Sequence, residues 1–175
     1  MTQPLYESTV MIRRLTPGDA EAFSALRNEA LLAVPLAFAS SPDDDFASTL
    51  DELRDHLDRA PDSVIFGAFV DDALVGTAGF LRDRHLKAAH KAHLWGMYVA
   101  PAARRQGLAA ALVETVIKHA RGVSGVAWLQ LGVSATVPDA QRVYERAGFT
   151  VWGTEPAALR HDGVEADQYH MIRAL

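Results

Sequence analysis

The sequence predicts a single α/β domain over residues 1–175, with a mixed sheet of about seven strands flanked by about four helices. Three observations carry this reading. Short apolar runs of strand length recur along the chain. Stretches with apolar residues at helical spacing separate them. The order of these segments is strand, two helices, three strands, helix, strand, helix, two strands, which requires both parallel and antiparallel neighbours.

Val10 to Leu15 is the first strand. Thr16-Pro17-Gly18-Asp19 opens a helix: Thr16 can cap, Pro17 suits the first helical position, and Asp19 lies where a carboxylate meets free N–H groups. Phe23, Leu26 and Ala30 follow at helical spacing, and Pro35 ends the helix. Leu36 to Phe46 reads as a loop carrying Asp43, Asp44 and Asp45. Thr49-Leu50-Asp51-Glu52 has the pattern of a capping box for a short second helix, with Leu53 and Leu57 inward. Val64 to Val70, a turn at Asp71-Asp72, and Ala73 to Phe80 form a hairpin. Arg82 to Lys91 is a charged loop, and Leu94 to Val99 is a strand stopped by Pro101. Leu108 to His119 carries the strongest helical pattern, with Leu108, Leu112 and Val116 on one stripe and Gly122 as its stop. Val126 to Val133 is a buried strand. Pro138 to Ala147 is a short helix ended by Gly148. Phe149 to Thr154 and Tyr169 to Arg173 close the sheet.

Composition narrows the function. Hydrophobic residues make up 49% and charged residues 22%, as in an ordinary globular domain. No apolar run approaches the ~18–20 residues of a membrane span, so no membrane partner is expected. Met1 to Glu7 has no basic segment followed by an apolar one, which argues against a secretory leader. With no cysteine, disulfides, thiolate metal sites and a cysteine nucleophile are excluded, and the expected location is the cytoplasm. The net charge of −5 and the lack of a clustered basic surface argue against nucleic acid.

The run from His93 to Ala109 concentrates the chemistry. A strand feeds a basic, glycine-containing turn that opens directly into a helix. The first N–H groups of a helix lack intrahelical partners and carry the positive end of its dipole. They form an anion site suited to a pyrophosphate. Gly107 lets the backbone approach closely, Ala109 and Ala110 keep the next turn slim, and Arg104 and Arg105 add cationic donors. An ordinary turn before an amphipathic helix would show the same Arg-x-x-Gly-x-Ala pattern. Walker and Rossmann loops need more glycines at other spacings.

In context the run resembles the acetyl-CoA-binding motif of the GNAT superfamily of N-acyltransferases, Gln/Arg-x-x-Gly-x-Gly/Ala after a strand ending in Val-x-Pro. Val99-Ala100-Pro101 and Arg104 to Ala109 match in phase. Downstream, Ala140, Val143, Tyr144, Gly148 and Phe149 resemble the family's Ala-x-x-Leu-Tyr-x-x-x-Gly-Phe element. Pro35 to Ser41 and Gly153 to Pro156 resemble a subgroup of small bacterial GNAT proteins. Where many members carry a cofactor-bonding Asn, this chain has Val137, so contact is expected from Ser134 or Thr136.

The resemblance implies a GNAT fold and acetyl-CoA as co-substrate. It implies direct attack of a primary amine on the thioester in a ternary complex, with no metal. Met97, Tyr98, Val99, Arg104, Arg105, Gln106, Gly107, Leu108, Ala109, Ala110 and Tyr144 would hold the cofactor. The Met97 N–H would be the oxyanion donor, with Gly96 bulging the strand there or simply pairing. Tyr144 would protonate the leaving thiolate or pack as a core tyrosine. His93 stands where several members place a glutamate base; its alternatives are a structural histidine or a water chain. His85, His90 and His93 lack the spacing and partners of a zinc site. Asp43, Asp44 and Asp45 either face the acceptor or form a solvated run, and Trp95 and Phe38 either line that groove or pack. The expected acceptor is a small-molecule amine. Protein lysine or N-terminal acetylation and a non-catalytic CoA-binding module are the alternatives. A homodimer is expected by analogy with the fold.

Overall fold

The computed structural model describes residues 9–175; Met1 to Glu7, read above for a leader, lies outside them. Seven strands form one sheet in the order β1-β2-β3-β4-β5-β7-β6. They are β1 (Val10–Arg14), β2 (Ser63–Val70), β3 (Ala73–Arg82), β4 (Lys91–Val99), β5 (Trp128–Ser134), β6 (Thr150–His161) and β7 (Val164–Ala174). The helices are α1 (Ala20–Ala33), α2 (Leu50–Leu57), α3 (Leu108–Gly122) and α4 (Pro138–Arg146). Every strand pair is antiparallel except β4–β5. A parallel pair needs a long crossover, and α3 supplies it. No helix among the described residues is long and apolar enough to cross a membrane.

The helices cover both faces of the sheet. On one face Leu112, Val113, Val116 and Ile117 of α3 pack on Ala78, Phe80, Leu94, Leu129 and Met171. On the other, Phe23 of α1 and Leu53 and Leu57 of α2 pack with Leu15, Ile65 and Phe69. Strand β2, lying between these layers, is buried along nearly its whole length. That explains its unbroken apolar sequence. The β2–β3 turn places Asp71 and Asp72 at φ +47° and +67°, the backbone a two-residue hairpin requires.

Local chemistry at the start of α1 is close to the expectation. The Asp19 carboxylate accepts from the Thr16 N–H at 2.8 Å and from both terminal nitrogens of Arg13 at 2.8 Å. The Arg13 guanidinium, first among these partners, holds the Asp19 carboxyl well below the usual carboxylate range.

Several boundaries differ from the sequence reading. Thr49 precedes α2 but makes no side-chain cap bond, so the capping box is not formed. Instead the Asp45 carboxylate caps the preceding 3-10 turn through the Ala47 N–H at 3.0 Å. Gly122 is the last helical residue of α3, and the left-handed φ of +82° falls at Gly125. Strands β3 and β4 extend into the charged loop, with Leu81 opposite His93 and Arg82 opposite Ala92. The largest difference is at the C-terminus, where β6 and β7 form a long arm through residues 155–168. Most of its β6 positions are exposed, so the apolar alternation that marks a half-buried strand is missing.

Glycines in the sheet differ sharply in the space around them. A Cβ on Gly79 would run into the indole ring of Trp95, whereas one on Gly153 would meet nothing within 4 Å. Gly79→Ala is therefore expected to cost about 1–3 kcal/mol through overpacking. Gly153→Ala should stay within about 0.5 kcal/mol. Denaturant midpoints of the two variants check this, and equal midpoints would refute the packing account.

Candidate active site

Strands β4 and β5 pair only at Lys91–Trp128, Ala92–Leu129 and His93–Gln130. Beyond these positions β5 continues with β7 as far as Ser134, while β4 continues with β3 as far as Val99. The two strands thus part, and a cleft of about 820 Å³ opens between them. Its walls include Leu94 to Val99 on β4, Gly132 to Ser134 on β5, the start of α3 and one side of α4.

A bulge shapes the β4 wall. Thr77 pairs with Tyr98 and Gly79 with Trp95, so Ala78 alone faces both Gly96 and Met97. Gly96 takes φ +61°, a left-handed value open to glycine at little cost. The Thr77 hydroxyl donates to the Gly96 carbonyl at 3.2 Å and pins the bulge. The extra residue also switches faces. Tyr98 packs with Leu26 and Ala30 of α1, and Val99 packs with the α3 layer.

The turn from β4 to α3 holds Arg105 at φ +63° and Gly107 at φ +79°. A left-handed non-glycine residue costs roughly 1–2 kcal/mol, so the surrounding turn must hold Arg105 there. Gly107 caps α3, and a Cβ placed on it would meet nothing within 4 Å. Backbone conformation therefore favours glycine here, and open space lies where a side chain would stand. The Ala111 N–H is the first to be satisfied by Gly107, leaving the N–H groups of Leu108, Ala109 and Ala110 free for an anion. The Arg104 Nε–H donates to the Val99 carbonyl at 2.9 Å, tying this loop to the end of β4.

On the opposite wall, the Ser134 and Thr136 hydroxyls lie 2.9 Å apart beside Val137, which precedes α4. Tyr144 reaches the cleft from α4 with 6% of its surface exposed. No group among the described residues bonds its hydroxyl, and burial pushes the phenol above its ordinary value, keeping it protonated. Arg142 and Arg146 also line the cleft, and Arg142 is paired with Asp139 at 2.8 Å. These two cations were missed in the sequence; only the exposed face of α4 at that spacing pointed to them.

Among the residues expected to hold a cofactor, Met97, Tyr98, Val99, Arg104, Arg105, Gly107, Leu108, Ala109, Ala110 and Tyr144 all line this one cleft. Gln106 belongs to the same turn but is not among the lining residues. His93 also stands outside the lining, just ahead of it on β4. It is partly exposed, with Nε2 at 3.9 Å from the Asp83 carboxylate. His85, His90 and His93 are not gathered into a metal-binding group among the described residues.

The acidic run divides by position. Asp45 is 4% exposed, and its Oδ2 accepts from Arg27 Nε at 3.1 Å and Nη2 at 2.8 Å. The Asp44 carboxylate accepts from the Ser41 N–H and hydroxyl, which lowers its pKa. Asp43 and Asp44 are thus exposed, as in a solvated run, whereas Asp45 is buried against Arg27 of α1. Phe38 and Trp95 both line the cleft.

The residues fit a CoA thioester: a left-handed glycine with open space, free helix N–H groups, guanidinium groups at the rim and a strand edge released from its neighbour. Residues 25–149 match the model of the Acetyltransferase (GNAT) family. The fold is similar to the acetyltransferase of the GNAT family from Streptococcus pneumoniae, with TM-score 0.87 and 22% identity over 95% of this chain and 100% of that one. It is also similar to a Salmonella typhimurium protein solved with its cofactor acetyl-CoA, with TM-score 0.83 and 21% identity over 96% and 95% of the two chains. Spermidine N-acetyltransferase from Vibrio cholerae, solved with CoA and spermine, aligns with TM-score 0.77 and 19% identity over 94% and 95%. Motif, cleft and family match converge on one conclusion: the chain belongs to the GNAT family of acetyltransferases.

Proposed function

We propose that the protein transfers an acetyl group from acetyl-CoA to the primary amine of a small molecule by direct attack within a ternary complex. The observation that carries this reading is the cleft where β4 and β5 part, with the Gly96–Met97 bulge on one wall and Tyr144 on the other. Acetyl-CoA brings the activated acetyl thioester. The free N–H groups of Leu108, Ala109 and Ala110, with Arg105 at the rim, bind its pyrophosphate. The edge of β4 at Met97 to Val99, freed from β5, receives the extended arm much as it would an added strand.

Each reacting charge then has a partner on the chain. The Met97 N–H, in a bulge with no cross-strand partner, donates to the carbonyl oxygen as negative charge develops there. An amine of pKa about 10.4 must lose a proton on or before attack. His93, steadied by Asp83, takes that proton through water in the mouth of the cleft. Tyr144 donates a hydrogen bond to the departing sulfur. A thiol has pKa about 8.5. A phenol held above its ordinary value is the weaker acid of the two, so Tyr144 steadies the thiolate and solvent completes its protonation.

Acetyl-CoA should raise the unfolding free energy by about 2.7 kcal/mol at a hundredfold excess over its Kd. Gly107→Asp should fold, because Asp tolerates the left-handed region, yet lose this stabilisation, because its carboxylate occupies the phosphate position. Thermal shifts equal to the parent's would sink the cofactor assignment. The two side-chain roles separate by pH. His93→Ala should lose about 10²–10³-fold near pH 7 and recover in alkali as the amine deprotonates unaided. Tyr144→Phe should lower kcat without alkaline recovery while acetyl-CoA still binds. Parent-like rates for His93→Ala at pH 7 would hand the base role to water, and an unimpaired Tyr144→Phe would make the phenol structural.

A further inference from the structure

On the acceptor side of the bulge stands a buried cation whose hydrogen bonds are only partly used. Arg27 of α1 is 8% exposed. Its Nε and Nη2 both serve Asp45 Oδ2, and its guanidinium lies over the Phe38 ring at 4.9 Å. Nη1 makes no hydrogen bond among the described residues. It lies 3.8 Å from the point where a Cβ of Gly96 would stand, directly over the bulge. Side-chain nitrogens that are both sealed and unpartnered are confined to Trp95 Nε1 and Arg173 Nε among the described residues, so Arg27 Nη1 keeps an opening to solvent.

The wall around it is apolar. Val34, Ala37, Phe38, Trp95 and Met97 line this side of the cleft. The one carboxylate among the lining residues, Asp139, is on α4 and bound to Arg142. Glu29, Asp43, Asp44 and Asp45 are not among the lining residues, and Asp45 is paired with Arg27. A polyamine carries several ammonium groups, each needing a carboxylate or water once desolvated. This wall offers an apolar surface instead, and Arg27, itself not among the lining residues, sets one unfilled donor against it at Gly96 and Phe38, which are.

We infer that the acceptor is a monoamine with an apolar body against Phe38 and Trp95, and with an oxygen near its amine that accepts a hydrogen bond from Arg27 Nη1. The inference rests on the transferase reading above and narrows its substrate class. The oxygen belongs to a carbonyl or to a carboxylate; the geometry suits both. Arg27 is then a specificity-determining residue. A site with a buried donor discriminates against an analogue that leaves the donor unpaired.

The test uses four probe amines on the full chain: phenylalaninamide, phenylalanine, 2-phenylethylamine and spermidine. CoA release gives kcat/KM, and calorimetry on the CoA-saturated protein gives binding without turnover. Phenylalaninamide or phenylalanine should exceed 2-phenylethylamine at least tenfold, with spermidine poorest, and the better of the first two identifies the oxygen. Arg27→Lys keeps a cation for Asp45 but removes Nη1, so the preference should shrink to within twofold while the acetyl-CoA KM holds. Equal use of 2-phenylethylamine, a preference for spermidine, or survival of the parent's preference in Arg27→Lys would each overturn the inference. If Arg27→Lys does not fold, the panel on the parent decides. If no amine releases CoA although acetyl-CoA binds, the transferase reading fails, and calorimetry alone judges the acceptor site. Absence of the predicted binding order there overturns the inference as well.

Discussion

Two parallel strands share a ladder over three residue pairs and then lose it, and the structure is organised around that loss. Hydrogen-bonding groups released inside a sheet must find other partners or face solvent. Here β5 turns its continuation to β7, β4 keeps β3, and the gap becomes a cleft lined with backbone groups. The bulge at Gly96 and Met97 falls on the freed segment, where an extra residue disturbs only one ladder. Within a fully paired strand the same bulge would disrupt two.

The parting also sets where helix termini point. Because β4 and β5 are parallel, the chain must cross the sheet between them, and α3 begins where β4 ends. Its free N–H groups therefore arrive at the mouth of the gap. Helix α4 follows β5 in the same way and brings Tyr144 to the facing wall. The free helix N–H groups and the Tyr144 phenol thus meet at one place through topology, although they lie far apart in sequence. The strained turn at Arg105 and Gly107 is what this sharp entry into α3 requires.

The opposite face of the gap depends on a different interaction. The loop between α1 and α2 carries no long regular element, and the buried Arg27–Asp45 pair anchors it. Removing one partner of such a pair strands a buried charge, at a cost of about 3–5 kcal/mol. The same pair holds Phe38 against the guanidinium and positions that guanidinium over Gly96. Loop order, one wall of the cleft and the support of the bulge are thereby joined in one cluster. The pair neutralises Asp45 alone; Asp43 and Asp44 stay exposed, and none of the three aspartates lines the cleft.

The sequence by itself determined the order of elements, the mixed sheet and the glycine-bearing turn before α3. These rest on local signals: apolar periodicity, Pro17 and Pro138 at helix starts, and a glycine before Leu108. It also named Met97, Gly107 and Tyr144, because motif phase fixes their place relative to a strand end and two helix starts. Tertiary structure decided what depends on residues distant in the chain. The fate of Asp45 was hidden because its partner lies 18 residues away on another element. The position of His93 beside Asp83, outside the cleft lining, follows from β3 and β4 extending beyond their apolar cores. The β6–β7 arm was illegible because exposure removes the alternation that marks a strand. Periodicity records burial, and local motifs record backbone shape. Pairing between separate elements leaves neither trace, so the Arg27–Phe38 side of the cleft took its form only when the chain folded.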